Sequence, residues 1–248
     1  MTGFGWDRRI ERAEELAAET AAAAEILRFY AAIARFQRDI YETLLSGPPL
    51  PQVFALESHV PSLLSLVERV GPDPLSHAAR ELAQHAKPWE MLIAGLGHTE
   101  VKKDFFARCL LQPYYEFLAG RSNLQQDSTP PVCPVCGHKP VVAVLRGEGD
   151  GGKRSLICSL CSAEWNFRRL LCPLCGEENE RKLPIYVAQE FSHVRVEACD
   201  TCQSYVKCVD LTDCGLAVPV VDELATIGLD LWVEEHGYTK LQSNLLGM

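Results

Sequence analysis

Ten of the eleven cysteines in this chain fall between positions 133 and 214, and eight of them form C-x-x-C pairs: Cys133/Cys136, Cys158/Cys161, Cys172/Cys175 and Cys199/Cys202. Two cysteines three positions apart in a tight turn can present both sulfurs to one metal ion. The first and third pairs read CPVCG and CPLCG. Proline stiffens such a turn, and glycine after the second cysteine tolerates a left-handed backbone. The spacing repeats: 39 residues separate the first pair from the third and 41 the second from the fourth, with 21 and 23 residues between the pairs of each unit. Two copies of C-x2-C-x~20-C-x2-C predict two consecutive ribbons, each holding one ion through four sulfurs. A cross-braced pairing, first with third and second with fourth, uses the same eight ligands, but consecutive pairing gives each unit its own hairpin.

A tetrahedral four-sulfur site suits zinc, and equally a single rubredoxin-like iron. Spacing does not choose between them. Zinc would make the ribbons structural, whereas iron would add one-electron chemistry. Each closed site leaves no open coordination position, so metal-activated water is not expected. Structural disulfides are disfavoured: the opening MTGFGWDRRI lacks an apolar export core, and a cytoplasmic location keeps thiols reduced. A thioredoxin-like dithiol lacks its βαβ surroundings. Nucleic acid is an unfavourable partner. The net charge is −9, and residues 129–248 carry 11 basic against 16 acidic side chains before any four-thiolate site adds its own negative charge. Cys109, Cys208 and Cys214 read as small buried hydrophobes, and His138 and His193 are not needed as ligands once four sulfurs are counted.

Two kinds of element surround these pairs. Residues 1–121 read as an all-α helical domain. Trp6 to Leu45 contains no proline and no internal glycine, with apolar residues at three- and four-residue steps (Ile26, Phe29, Tyr30, Ile33, Phe36, Ile40), and reads as one helix ended by SGPPLP. Shorter helices follow over roughly 52–70, 74–86, 88–95 and 99–119, with Pro61 a break or kink. Arg28, Arg35 and Glu25 interrupt the most apolar early stretch, so no membrane insertion is expected. Residues 122–131 read as a linker, 132–170 and 171–220 as the two metal ribbons, and 221–248 as a C-terminal helix and tail. Strands are predicted at 140–145, 155–158, 184–188 and 193–198. The last helix, 222–238, is expected to start at an Asp222 N-cap, to stop at Gly237, and to bury Leu224, Ile227, Leu231 and Trp232. The fold class is α plus small β.

The segments CPVCG (133–137), SLICSLCSAEWNFRRLLCPLCG (155–176), VEACDTCQSYVK (196–207) and VDELATIGLDLWVEEHGY (221–238) together resemble the FdhE-type formate dehydrogenase accessory proteins. The likeness covers roughly the last 115 residues. It implies a cytoplasmic assembly factor, not an enzyme, that binds the immature catalytic subunit of formate dehydrogenase and supports its maturation. It also implies iron or zinc on the eight cysteines Cys133, Cys136, Cys158, Cys161, Cys172, Cys175, Cys199 and Cys202. Glu164, Trp165, Arg168, Asp222, Glu223 and Leu224 become candidates for the client-facing surface. The alternative is a rubredoxin-like iron protein serving as redox carrier or sensor.

Overall fold

The computed structural model describes residues 5–48, 52–94, 101–122, 130–148 and 151–248, so most of the expected linker lies outside the described residues. The helical half contains α1 (Trp6–Glu19), α2 (Ala24–Ser46), α3 (Val60–Val70), α4 (Asp73–Ala83), α5 (Pro88–Ala94) and α6 (Val101–Ala119). The single helix expected from Trp6 to Leu45 is corrected to two. Thr20 turns extended, a 3-10 turn covers Ala21–Ala23, and α1 folds back antiparallel on α2, with Arg35 paired to Glu14 and Arg38 to Asp7. An unbroken helix of that length would run about 60 Å and leave its apolar stripe without a partner. Folding back buries Ile10, Ala13 and Leu16 against Leu27, Ile33 and Ala34. Pro61 occupies the first turn of α3, where its missing N–H costs nothing. Pro113 lies inside α6 and has no N–H to offer the carbonyl of Cys109, which instead accepts from Gln37 Nε2 at 3.1 Å.

The cysteine-rich half builds β1 (Pro140–Glu148), β2 (Gly151–Cys158), β3 (Glu164–Asn166), β4 (Ile185–Val187), β5 (Val194–Cys199), β6 (Ser204–Asp210) and β7 (Thr239–Lys240). Two antiparallel hairpins, β1/β2 and β5/β6, are joined by parallel pairing of β1 with β6. The result is one seven-stranded sheet in the order β3-β2-β1-β6-β5-β4, with β7 also on β6. The two ribbons therefore share a sheet. Side chains alternate across it. Ala143, Leu145, Leu156, Val206 and Cys208 face a core continuous with the helical half. Val142, Val144, Ile157, Val196, Tyr205 and Val209 face a second core.

That second core is closed by α8 (Ile227–Glu235), which follows α7 (Pro219–Ala225). The one C-terminal helix expected over 222–238 is thus two. Lys207 Nζ donates to the carbonyl of Glu223 at 2.5 Å and to that of Thr226 at 3.4 Å, capturing oxygens that a continuous helix would bond internally. The break resets the helical phase: α8 buries Leu229, Asp230 and Val233, while Leu231 and Trp232 point toward solvent. Asp222 is not the N-cap; Val218 is, and the Asp222 carboxylate reaches back to accept from its N–H at 2.7 Å. Gly237 does end the segment, with φ of +89°.

Candidate metal centres

Each C-x-x-C pair sits in a turn that ends on a left-handed residue directly after its second cysteine: Gly137, Ser162, Gly176 and Gln203, with φ between 52° and 77°. Glycine marks this position in two of the four; the other two hold it with Ser and Gln, a conformation that L side chains rarely adopt. In three of the turns the amide two residues after the first cysteine points at its sulfur: Val135, Leu160 and Leu174 lie 3.4 Å from Cys133, Cys158 and Cys172. Such amides stabilise thiolate charge.

The turns assemble by consecutive pairing. Cys133, Cys136, Cys158 and Cys161 form one cluster and Cys172, Cys175, Cys199 and Cys202 the other, each with its four sulfurs within 4.8 Å of one another. In the first cluster Cys133–Cys161, Cys136–Cys158 and Cys136–Cys161 are 3.5, 3.3 and 3.4 Å apart; in the second, Cys172–Cys202 and Cys175–Cys199 are 3.7 and 3.6 Å apart. These separations are far too long for disulfides. They approach the ~3.8 Å edge of a tetrahedron whose centre lies about 2.3 Å from each sulfur, the zinc–thiolate distance. The donor set fits zinc or a single iron. The sulfurs of Cys133 and Cys136 push the Cys158 and Cys161 thiols up, so a bound cation would be what lets all four ionise together.

The first cluster is set into the junction of the two halves. From α6, Arg108 and Gln112 donate to the carbonyl of Ser159, inside the second turn, at 3.1 and 2.9 Å. Ser162, the left-handed residue of that turn, donates to Glu116 at 2.7 Å, and Glu116 is also gripped by Arg9 of α1 at 2.7 and 3.2 Å. Cys109 and Cys208 are fully buried and Cys214 half-buried, all outside both clusters. His138 contacts the Cys136 carbonyl through Nδ1 at 3.2 Å instead of entering the cluster.

The structure places the expected client-facing residues mostly inside the fold. Trp165 is buried, its indole N–H donating to Pro130 O at 2.9 Å, so its role in this conformation is packing. Glu164 is half-buried and bound bidentately by Arg146 at 2.9 and 2.8 Å. Asp222, Glu223 and Leu224 are interior. Of the six, Arg168 alone is exposed, in a surface pair with Glu178 at 2.8 Å.

Asp222 and Glu223 instead anchor a buried ionic network. Asp222 accepts from Arg12 of α1 at 2.7 and 3.2 Å and contacts His193 Nε2 at 2.9 Å. Burial pushes the Asp222 carboxyl up, but His193 and Arg12 outweigh it and leave it below the usual carboxylate range. Glu223 bonds Lys207 at 3.0 Å, Asn244 at 3.0 Å and Lys240, and Asp230 bonds the same two lysines at 2.5 and 2.9 Å. Against strong desolvation, Lys207 and Lys240 bring the Glu223 carboxyl down to about 2. From sequence, Arg12, Lys207, Asp230 and Lys240 carry no assigned role and His193 is set aside as a ligand. The available signal was a lone lysine inside the apolar SYVKCV and acids set in the apolar VVDELATIGLDL.

Comparison with known proteins bears on what this arrangement is. The family model described as FdhE, central domain, matches residues 132–169, and FdhE, C-terminal domain, matches residues 171–246. A protein FdhE homolog of Shewanella baltica is 30% identical over 207 residues, covering 80% of this chain and 63% of the relative. Residues 132–246 carry two consecutive FdhE-family domains. The Aquifex aeolicus FdhE homolog is 34% identical over 145 residues, 58% of this chain and 51% of the relative, so the matched region spans about half of that protein. The crystal structure of the FdhE protein from Pseudomonas aeruginosa shares the fold, with a TM-score of 0.73 at 24% identity over 97% of this chain and 94% of that one. In FdhE terms, the first cluster lies in the central domain and the second in the C-terminal domain. No helix among the described residues is long and apolar enough to cross a membrane.

Proposed function

We propose that this chain binds the immature catalytic subunit of formate dehydrogenase in the cytoplasm and supports its maturation to the active enzyme, acting as an accessory protein and not as a catalyst. Two metal ions, iron or zinc, are held on the eight paired cysteines. The observation that carries this reading is the pair of four-sulfur clusters mounted on one sheet inside the FdhE-matched region. A four-sulfur shell is closed to water and substrate. The ions thus hold the recognition body in shape, each contributing on the order of 10–16 kcal/mol of folding energy if it is zinc. Arg168 is the one member of the expected client surface that is exposed, and Glu164 is partly so.

The test is co-purification. A tagged full-length chain, expressed anaerobically with the dehydrogenase, is expected to retain its catalytic subunit, and deleting the gene is expected to abolish formate oxidation. Failure to retain the subunit, with oxidation intact in the deletion strain, contradicts the proposal. The redox carrier or sensor reading rests on the same four-sulfur geometry, which suits iron. Stoichiometric zinc in a colourless protein removes it.

A further inference from the structure

We infer that the two clusters are chemically unequal: Cys172, Cys175, Cys199 and Cys202 form an exchange site, at which an incoming thiolate displaces Cys175 from the ion, while Cys133, Cys136, Cys158 and Cys161 form a sealed one. The inference rests on the reading that both clusters hold ions.

The contrast begins with burial. In the first cluster Cys133, Cys158 and Cys161 are 2%, 1% and 0% exposed and belong to the large core shared with the helical half. Its most open sulfur, Cys136, is half-buried beside His138, whose ring lies 6.4 Å from that of Tyr115. The second turn of this cluster is tied to α6 by Arg108, Gln112 and the Ser162–Glu116 bond. To release its ion, this cluster must first separate the two halves of the molecule.

The second cluster is open on one side: Cys172 and Cys199 are buried, at 5% and 2% exposed, but the other two ligands are not. Cys175 is exposed and Cys202 half-buried, and among the described residues none of its four sulfurs belongs to either core. Ser204 Oγ lies 3.0 Å from Cys202 Sγ, Thr201 and Lys182 bond Glu177 just past Cys175, and from the C-terminal segment the Tyr238 hydroxyl donates to Asp200 in the fourth turn at 2.6 Å, leaving Cys175 itself uncovered. No helix-borne side chain is hydrogen-bonded to its turns among the described residues in the way Arg108 and Gln112 grip the first. An attacking thiolate therefore meets Cys175 without any prior opening of the fold.

The step is a ligand exchange without electron transfer. A thiol RS–H loses its proton, its sulfur bonds the ion, the bond from the ion to Cys175 Sγ breaks, and Cys175 takes up that proton. Charge, protons and the ion's oxidation state are unchanged. The chemical class of reactant is a low-molecular-mass thiol or a cysteine of a partner protein. The second site is thus where an ion can be loaded or handed on.

The experiment uses the full-length protein, purified anaerobically with its ions and counted by mass spectrometry. Glutathione is added together with the metal-trapping dye 4-(2-pyridylazo)resorcinol, and samples are alkylated with iodoacetamide and mapped by peptide. One ion per chain is expected to leave roughly tenfold faster or more than the other, because only the slower one awaits an opening of the fold. Alkylation is expected first at Cys175. In Cys175→Ser the fast release should vanish while one slow ion remains; the wild-type kinetics stand even if this variant folds poorly. Two ions leaving at one rate, or first alkylation within Cys133–Cys161, overturns the inference and leaves the metal reading intact. A protein that binds no ions overturns both.

Discussion

The two halves of this molecule are stabilised by different physics. The helical half is held by apolar stripes, with Leu27, Ile33, Leu56, Leu63 and Leu110 almost wholly buried. The cysteine-rich half has a thin sheet, two turns strained at Ser162 and Gln203, and an interior that contains Lys207, Asp222, Glu223 and Asp230. Hydrophobic burial tolerates gradual change, whereas clusters of thiolates and buried charges depend on every partner being present. The second half should therefore fail abruptly where the first fails gradually.

Metal removal is the largest expected break in that contrast. Chelation under reducing anaerobic conditions should abolish amide protection in β1, β2, β5 and β6 while α2 keeps its own, since about 10–16 kcal/mol per site exceeds most of a domain's net stability. Hydrogen exchange checks this, and strands that stay protected in metal-free protein would contradict it.

Next in size is the ionic seam. Asp222→Ala leaves Arg12 buried without its carboxylate, and a loss of about 3–5 kcal/mol is expected by denaturant unfolding. A loss under 1 kcal/mol would mean that the seam is not what docks α1 on α7.

A smaller effect comes from pH. The Glu223 carboxyl lies at about 2 in the fold against an ordinary 4.5. The folded state binds fewer protons between those values, so the stabilisation is complete above about 4.5 and is lost as the pH falls toward 2. Thermal melts of wild type and Glu223→Gln at pH 6 and pH 3 test this: the variant should start less stable and lose less. Equal losses would contradict the sign.

The two four-sulfur clusters were legible in the sequence because each C-x-x-C turn is local. Two cysteines three apart need only a turn, and the repeated interval set the pairing that the clusters show. The helical stripes of α2 and α3 were legible for the same reason. Other features depended on residues distant in sequence. Nothing near Thr20 announces that α1 turns back; the apolar face of α2 decides it. Lys207 meets Glu223 and Asp230 across 16 and 23 positions, and that meeting both splits α7 from α8 and removes Asp222–Glu223 from the surface. The parallel join of β1 to β6 likewise has no local signature.

The smallest expected effect is at the surface. Arg168 pairs with Glu178 in solvent, so Arg168→Ala should change stability by less than about 0.5 kcal/mol. If the same substitution weakens capture of the dehydrogenase subunit, it sharpens the division between a surface that recognises and an interior that holds shape. Unchanged capture moves recognition elsewhere.

X-ray absorption on the anaerobically purified full-length protein, with metal counted per chain, addresses the central claim most directly. The account predicts two ions per chain, each surrounded by four sulfurs at about 2.3 Å. Oxygen or nitrogen in the coordination shell, or the eight cysteines joined as disulfides, would contradict it.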